Sequence, residues 1–155
     1  MTQLADIYNY IEIDERLATA GQPSVDELGA VARAGFEVVI NLALHDDPRY
    51  SLPDEPGTVA SLGMTYVHIP VKFDAPDERD LLAFFSAMDA HADRKVLVHC
   101  AANKRVTSFL GLYRVIRQNW ARERAFAPMR QVWEPNEHWS PFIAAMLAKA
   151  DQLRR

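Results

Sequence analysis

The chain has 155 residues, enough for one domain and too few for two of ordinary size. Its 49% hydrophobic, 25% charged and 10% aromatic content is that of a folded globule and excludes a disordered chain. Seventeen Lys and Arg against 21 Asp and Glu leave a net charge of −4, which argues against nucleic acid or anionic membrane as partner, and a single Cys excludes a disulfide framework or a Cys-based zinc cluster.

In chain order, the segment MTQLADIYNYIEIDERL has neither the basic start nor the apolar stretch of a secretory signal, and no apolar run approaches the ~20 residues that span a bilayer. A cytoplasmic setting is expected. Residues 16–22 form an extended segment closed by Gly21 and Pro23. Ser24 caps a helix whose first turn carries Asp26 and Glu27, with Val25, Leu28, Val31 and Ala32 at helical spacing and Gly35 at its end. Residues 36–42 (FEVVINL) form a continuous apolar strand of the kind buried on both faces of a parallel sheet.

Residues 45–56 (HDDPRYSLPDEP) read as a loop, followed by a short helix over 58–62 and a strand over 64–71. Asp77 caps a helix reaching His91, with Leu81, Leu82, Phe84, Phe85 and Met88 as its buried stripe. Residues 95–99 (KVLVH) form a third central strand, and a helix starts near Thr107. The remainder is helical apart from breaks at Pro128 and near Pro135. The alternation predicts one α/β domain over residues 1–155: three layers, a central four- or five-stranded mostly parallel sheet, and helices on both faces. Its ligand crevice lies beyond the carboxyl ends of the strands, where the loops after Leu42, Val71 and His99 converge.

Charge is unevenly spread. Residues 104–130 hold seven basic side chains against Glu123 alone, and residues 45–80 hold eight acids against Arg49, Lys72 and Arg79. A basic run around a pocket draws anionic ligands into a protein that is acidic overall.

The loop after His99 reads VLVHCAANKRVTSFLGLYR: a lone cysteine at the end of a buried strand, a tight turn, then a helix. Successive N–H groups of such a turn and the unpaired N–H groups of the helix start form a concave anion site, and the same field favours a thiolate. One piece of backbone therefore supplies a nucleophile and an oxyanion cradle.

These residues resemble the cysteine-dependent protein tyrosine phosphatase superfamily, in particular its small bacterial dual-specificity-like members. The resemblance rests on His99-Cys100 followed by Asn103, Arg105 and Thr107, and extends to LATAGQPS and VINL. It implies a cysteinyl-phosphate on Cys100, phosphoryl oxygens held by Arg105 and the loop of Ala101, Ala102, Asn103, Lys104 and Val106, and an Asp from another loop as acid and base. It implies a phosphorylated protein or small molecule as substrate, no metal and no organic cofactor.

Two departures from the family pattern are present. Asn103 stands where the family has Gly, and four residues rather than five separate Cys100 from Arg105, so that Val106 occupies the usual Arg position. Asn tolerates the left-handed backbone that Gly normally supplies. Either the guanidinium is missing or the loop is one residue shorter and Arg105 curls back over the anion. The shorter gap also resembles rhodanese-like sulfurtransferases, and a phosphate-binding relative with weak or no turnover is a further reading.

The general acid belongs on the loop after Val71. Asp77 is accounted for as a helix cap with Asp80 beyond it, whereas Asp74 has no structural task and follows Phe73, so Asp74 is the chosen acid and Asp77 the alternative. His99 points to the opposite face from Cys100 and shapes the loop by bonding backbone. Thr107, then Ser108, offers a hydroxyl to the sulfur or caps the helix start. The loop from His45 to Arg49 offers substrate contacts. His68 reads as a satisfied strand histidine, and Trp120, Trp133, Trp139, Phe126 and Phe142 as a helix-packing layer.

Overall fold

Short apolar segments build the sheet. In the computed structural model, which describes residues 2–154, the strands are β1 (Ile11–Glu12), β2 (Leu17–Ala20), β3 (Val38–Asn41), β4 (Thr65–His68) and β5 (Val96–His99). They lie in the order β1-β2-β5-β3-β4, with β1 antiparallel to β2 and the other pairings parallel. β5 is central, and its register sets Ala20, Asn41 and His99 level at the carboxyl ends. The register of β3 with β4 sets His68 level with Asn41, so the three loops expected to converge leave the same end of the sheet.

Every residue of β3 and β5 is buried, as expected of parallel strands covered on both sides. Alternate side chains divide between two cores. Val38, Ile40, Val96 and Val98 pack against α3 (Glu78–Ala90), α4 (Lys104–Ile116), α6 (Ala127–Val132) and α7 (Trp139–Ala148). Val39 and Leu97 face α1 (Val25–Arg33) and α2 (Glu55–Ser61) on the other side. The short helices α5 (Arg122–Ala125) and α8 (Ala150–Leu153) complete the first layer.

Local rules account for most boundaries. Ser24 closes a reciprocal capping box with Glu27, and Asp77 caps α3 by accepting from the Arg79 amide. Val25, assigned to the buried face of α1, is instead 52% exposed, because it stands in the first turn before the helix reaches the sheet. Two helices begin about one turn earlier than expected. α2 starts at Glu55 because the Asp54 side chain accepts from the Gly57 amide and Pro56 suits a first turn. α4 starts at Lys104, which places Thr107 inside the helix rather than at its start.

Candidate active site

Only residues 100–103 separate β5 from α4, and three neighbouring segments hold this turn. The Cys100 amide donates to the Ala20 carbonyl (3.3 Å), and the Gln22 amide donates to the Ala101 carbonyl (3.0 Å). Gly21 forms a bridge with Ala102, and a Cβ there would come within 2.6 Å of the Ala101 oxygen, so only glycine allows the approach. Asn9 Nδ2 donates to the Ala102 carbonyl (3.0 Å) from the N-terminal segment.

Asn103 takes the left-handed conformation (φ 68°, ψ 7°) that turns the chain into α4. Its Nδ2 donates to the Asn9 carbonyl (2.8 Å) and to Thr19 Oγ1 (3.0 Å). Committed there, the side chain does not cap α4. The first N–H groups of the helix thus have no partner within it and leave its positive end open to an anion.

Arg105 is 92% removed from solvent, with 8% exposure, and its guanidinium lies 5.7 Å from the centre of the Phe73 ring. One Nη1–H donates to the Val71 carbonyl (2.8 Å), while Nε is buried with no hydrogen-bond partner among the described residues. One corner of the fork is therefore anchored and another donor is left over. Val106, expected in the anion-binding loop, is fully buried in the core on the α4 side and does not line the cleft, whereas Arg105 does.

A cleft of about 580 Å³ opens above the turn. Cys100, itself fully buried, contributes to its floor with Ala101, Ala102, Lys104 and Arg105, and Asp74 lies on its wall. Asp74 is exposed, whereas Asp77 caps α3 and is absent from the lining. Asp46 and Asp47 also border the cleft. The Arg49 guanidinium bonds Asp47 and holds its half-buried carboxyl below the usual range, in the ionised form. Tyr8, Tyr50 and Phe73 supply aromatic surface.

The Asp74 loop is held from the C-terminal helices. Trp139 Nε1 donates to the Phe73 carbonyl (2.7 Å), and the Phe73 ring lies 5.5 Å from Trp133 and 6.3 Å from Trp139. The aromatic residues of the last third form a packing layer, as expected. They also position the wall of the cleft, which the sequence did not reveal.

The expected residues divide into two groups. Cys100, Ala101, Ala102, Lys104, Arg105 and Asp74 meet at the cleft, while Asn103 braces the turn from behind. Thr107 Oγ1 donates to the Asn103 carbonyl (2.8 Å) and Ser108 Oγ to the Lys104 carbonyl (2.8 Å), so both hydroxyls are tied to helix backbone rather than offered to the sulfur. His99 turns to the α2 face, where Nε2 lies 2.6 Å from Glu55 Oε2, and its Nδ1 lies 3.3 Å from the Cys100 carbonyl oxygen. Burial raises the Glu55 carboxyl, but the hydrogen bond and charge of His99 and the Gln22 hydrogen bond outweigh it, and the net displacement is downwards. His68 bonds the Ala43 carbonyl (2.6 Å). Sequence reasoning missed Glu55, Tyr8 and Asn9.

Among the described residues no group of three or more His, Cys, Asp or Glu is gathered to hold a metal, and no helix is long and apolar enough to cross a membrane.

The central parallel sheet, with His99-Cys100 at the end of β5, a tight turn and the buried Arg105 after it, has the fold of the protein tyrosine phosphatase-like phosphatases. Residues 9–115 match the family described as beta-lactamase hydrolase-like protein, phosphatase-like domain, and the chain belongs to that family. It is 34% identical over 123 residues to the beta-lactamase hydrolase-like protein of Xylella fastidiosa (strain Temecula1), covering 76% of this chain and 27% of that protein. The chain thus spans about a quarter of that relative's length. The crystal structure of a DUF442 protein from Shewanella putrefaciens CN-32 superposes with a TM-score of 0.84 at 33% identity, covering 95% of this chain and 96% of that one. The dual specificity protein phosphatase TpbA of Pseudomonas aeruginosa is 26% identical over 126 residues, 79% of this chain and 54% of TpbA. A structure of P. aeruginosa TpbA shares the fold with a TM-score of 0.73 at 21% identity, covering 95% of this chain and 89% of that one.

Proposed function

We propose that the chain hydrolyses phosphomonoesters through a phosphocysteine intermediate on Cys100. One observation carries this reading: Arg105 and the uncapped start of α4 border the same cleft as the only cysteine and the Asp74 carboxyl. The Cys100 sulfur attacks phosphorus, the P–S bond forms, and the P–O bond to the leaving group breaks as Asp74 protonates the departing oxygen. Water then attacks phosphorus and gives a proton to Asp74, the P–S bond breaks, and inorganic phosphate leaves with the thiolate restored. Arg105 and the amides of residues 101–106 stabilise the charge on the phosphoryl oxygens.

The steps use no metal or organic cofactor. A nucleophile that must stay a free thiol suits a reducing compartment such as the cytoplasm. Tyr8 and Tyr50 at the cleft suit the aromatic ring of an aryl phosphate. Consistent with this, one structure sharing the fold, at 19% identity, is a complex of P. aeruginosa TpbA with pTyr.

Turnover of p-nitrophenyl phosphate that is blocked by vanadate and lost in Cys100→Ser is the expected result. Tight phosphate binding without turnover would make the chain a binding module. Cyanide-dependent thiocyanate formation from thiosulfate would make it a sulfurtransferase.

A further inference from the structure

Beneath the cleft, on the opposite face of β5, lie two buried titratable groups that the proposed reaction does not consume. Glu55 and His99 are both fully buried, with His99 Nε2 2.6 Å from Glu55 Oε2. Gln22 Nε2 donates to the other carboxylate oxygen, Oε1, at 2.8 Å. The Tyr66 hydroxyl and His45 also act on Glu55 from β4 and the loop after β3. The second ring nitrogen, Nδ1, lies 3.3 Å from the Cys100 carbonyl oxygen.

A backbone carbonyl only accepts, and so does an ionised carboxylate, the form towards which the Glu55 carboxyl is displaced. With Glu55 ionised, both nitrogens of the His99 ring face acceptors, and a ring so placed favours a proton on each. Its positive charge is balanced by Glu55 in an interior where an unpaired charge of either sign is costly.

We propose that Glu55 is a positioning residue for the reaction at Cys100: its carboxylate keeps the His99 ring doubly protonated, and the ring's Nδ1–H anchors the Cys100 carbonyl and sets a fixed cation behind the nucleophile. The proposal rests on the reading of Cys100 as that nucleophile. Gln at position 55 matches Glu in volume and still offers an oxygen to Nε2–H, but it no longer balances a second ring proton. The bare Nδ1 lone pair would then face the Cys100 carbonyl, and both the anchor and the cation would be lost.

Two measurements test this. In ¹⁵N NMR of the unmodified full chain at neutral pH, both His99 ring nitrogens are expected to carry protons; a spectrum with one bare nitrogen overturns the proposal without any variant. In steady-state assays with p-nitrophenyl phosphate, Glu55→Gln is expected to lower kcat by roughly ten- to a hundredfold, the range for loss of a charge-assisted hydrogen bond, with little change in KM. A folded Glu55→Gln protein with unchanged kcat overturns the proposal and leaves the phosphatase reading intact. Absence of turnover in the unmodified chain, with a doubly protonated His99, instead overturns the phosphatase reading on which the proposal rests.

Discussion

Asn103 holds a left-handed turn of the kind glycine adopts most readily, and its side chain adds two hydrogen bonds that glycine cannot make. Asn103→Gly keeps the left-handed turn but loses those bonds, a cost of about 1–2 kcal/mol. Asn103→Ala loses the same bonds and adds about 1–2 kcal/mol of backbone strain. Urea denaturation is therefore expected to rank the stabilities native, then Gly, then Ala. At Asp74 the distinction lies in the leaving group. Asp74→Asn is expected to slow hydrolysis of alkyl phosphates by roughly a hundredfold or more while sparing p-nitrophenyl phosphate, whose leaving oxygen needs little protonation. Equal losses on both substrates would remove Asp74 from the role of acid. That Cys100, Arg105 and Asp74 meet at one cleft was legible in the sequence because each follows a strand whose position the apolar pattern gives. Glu55 was not, because its partner His99 lies 44 residues further on and only the folded sheet brings them together.

The helices divide into those set by local chemistry and those set by their neighbours. α1 and α3 were readable almost to the residue, since Ser24 and Asp77 announce their own first turns. α4 was misjudged by one turn because its start depends on the backbone of Asn103 rather than on a capping side chain. Asp77→Ala is expected to lower stability by about 1 kcal/mol and leave turnover unchanged, which kinetics alongside a thermal melt will check. Midway along α4, Gly111 lies directly against the Phe126 ring, and a Cβ there would overlap it. Gly111→Ala is expected to destabilise by about 1–3 kcal/mol, the usual cost of overpacking. A neutral result in the same melt would mean that Phe126 yields freely. Nothing in the one-dimensional pattern marks Gly111 as a packing contact, because its partner arrives from a separate helix.

Taken whole, the molecule packs a buried Glu55–His99 pair behind one face of β5 and an aromatic-walled cleft, lined by Lys104 and Arg105 and by three carboxylates, in front of it. The Glu55 carboxyl is displaced downwards in the fold, so its contribution to stability is complete above the unfolded value of about 4.3 and is lost as pH falls through the lower folded value. Acid unfolding of the native chain is therefore expected to steepen below about pH 4.3, and Glu55→Gln to flatten that limb in urea titrations. The same three-dimensional arrangement explains what the sequence concealed of the cleft. Tyr8 and Asn9 come from an N-terminal segment without periodicity, and Trp139 reaches back 66 residues to hold the Phe73 carbonyl. The most direct trial of the whole account is rapid acid quenching during turnover of an aryl phosphate, followed by mass spectrometry of the peptide that carries Cys100. A phosphoryl group on the Cys100 sulfur, absent from Cys100→Ser, is the predicted result; continued turnover by Cys100→Ser, or a phosphoryl group on any other residue, would contradict it.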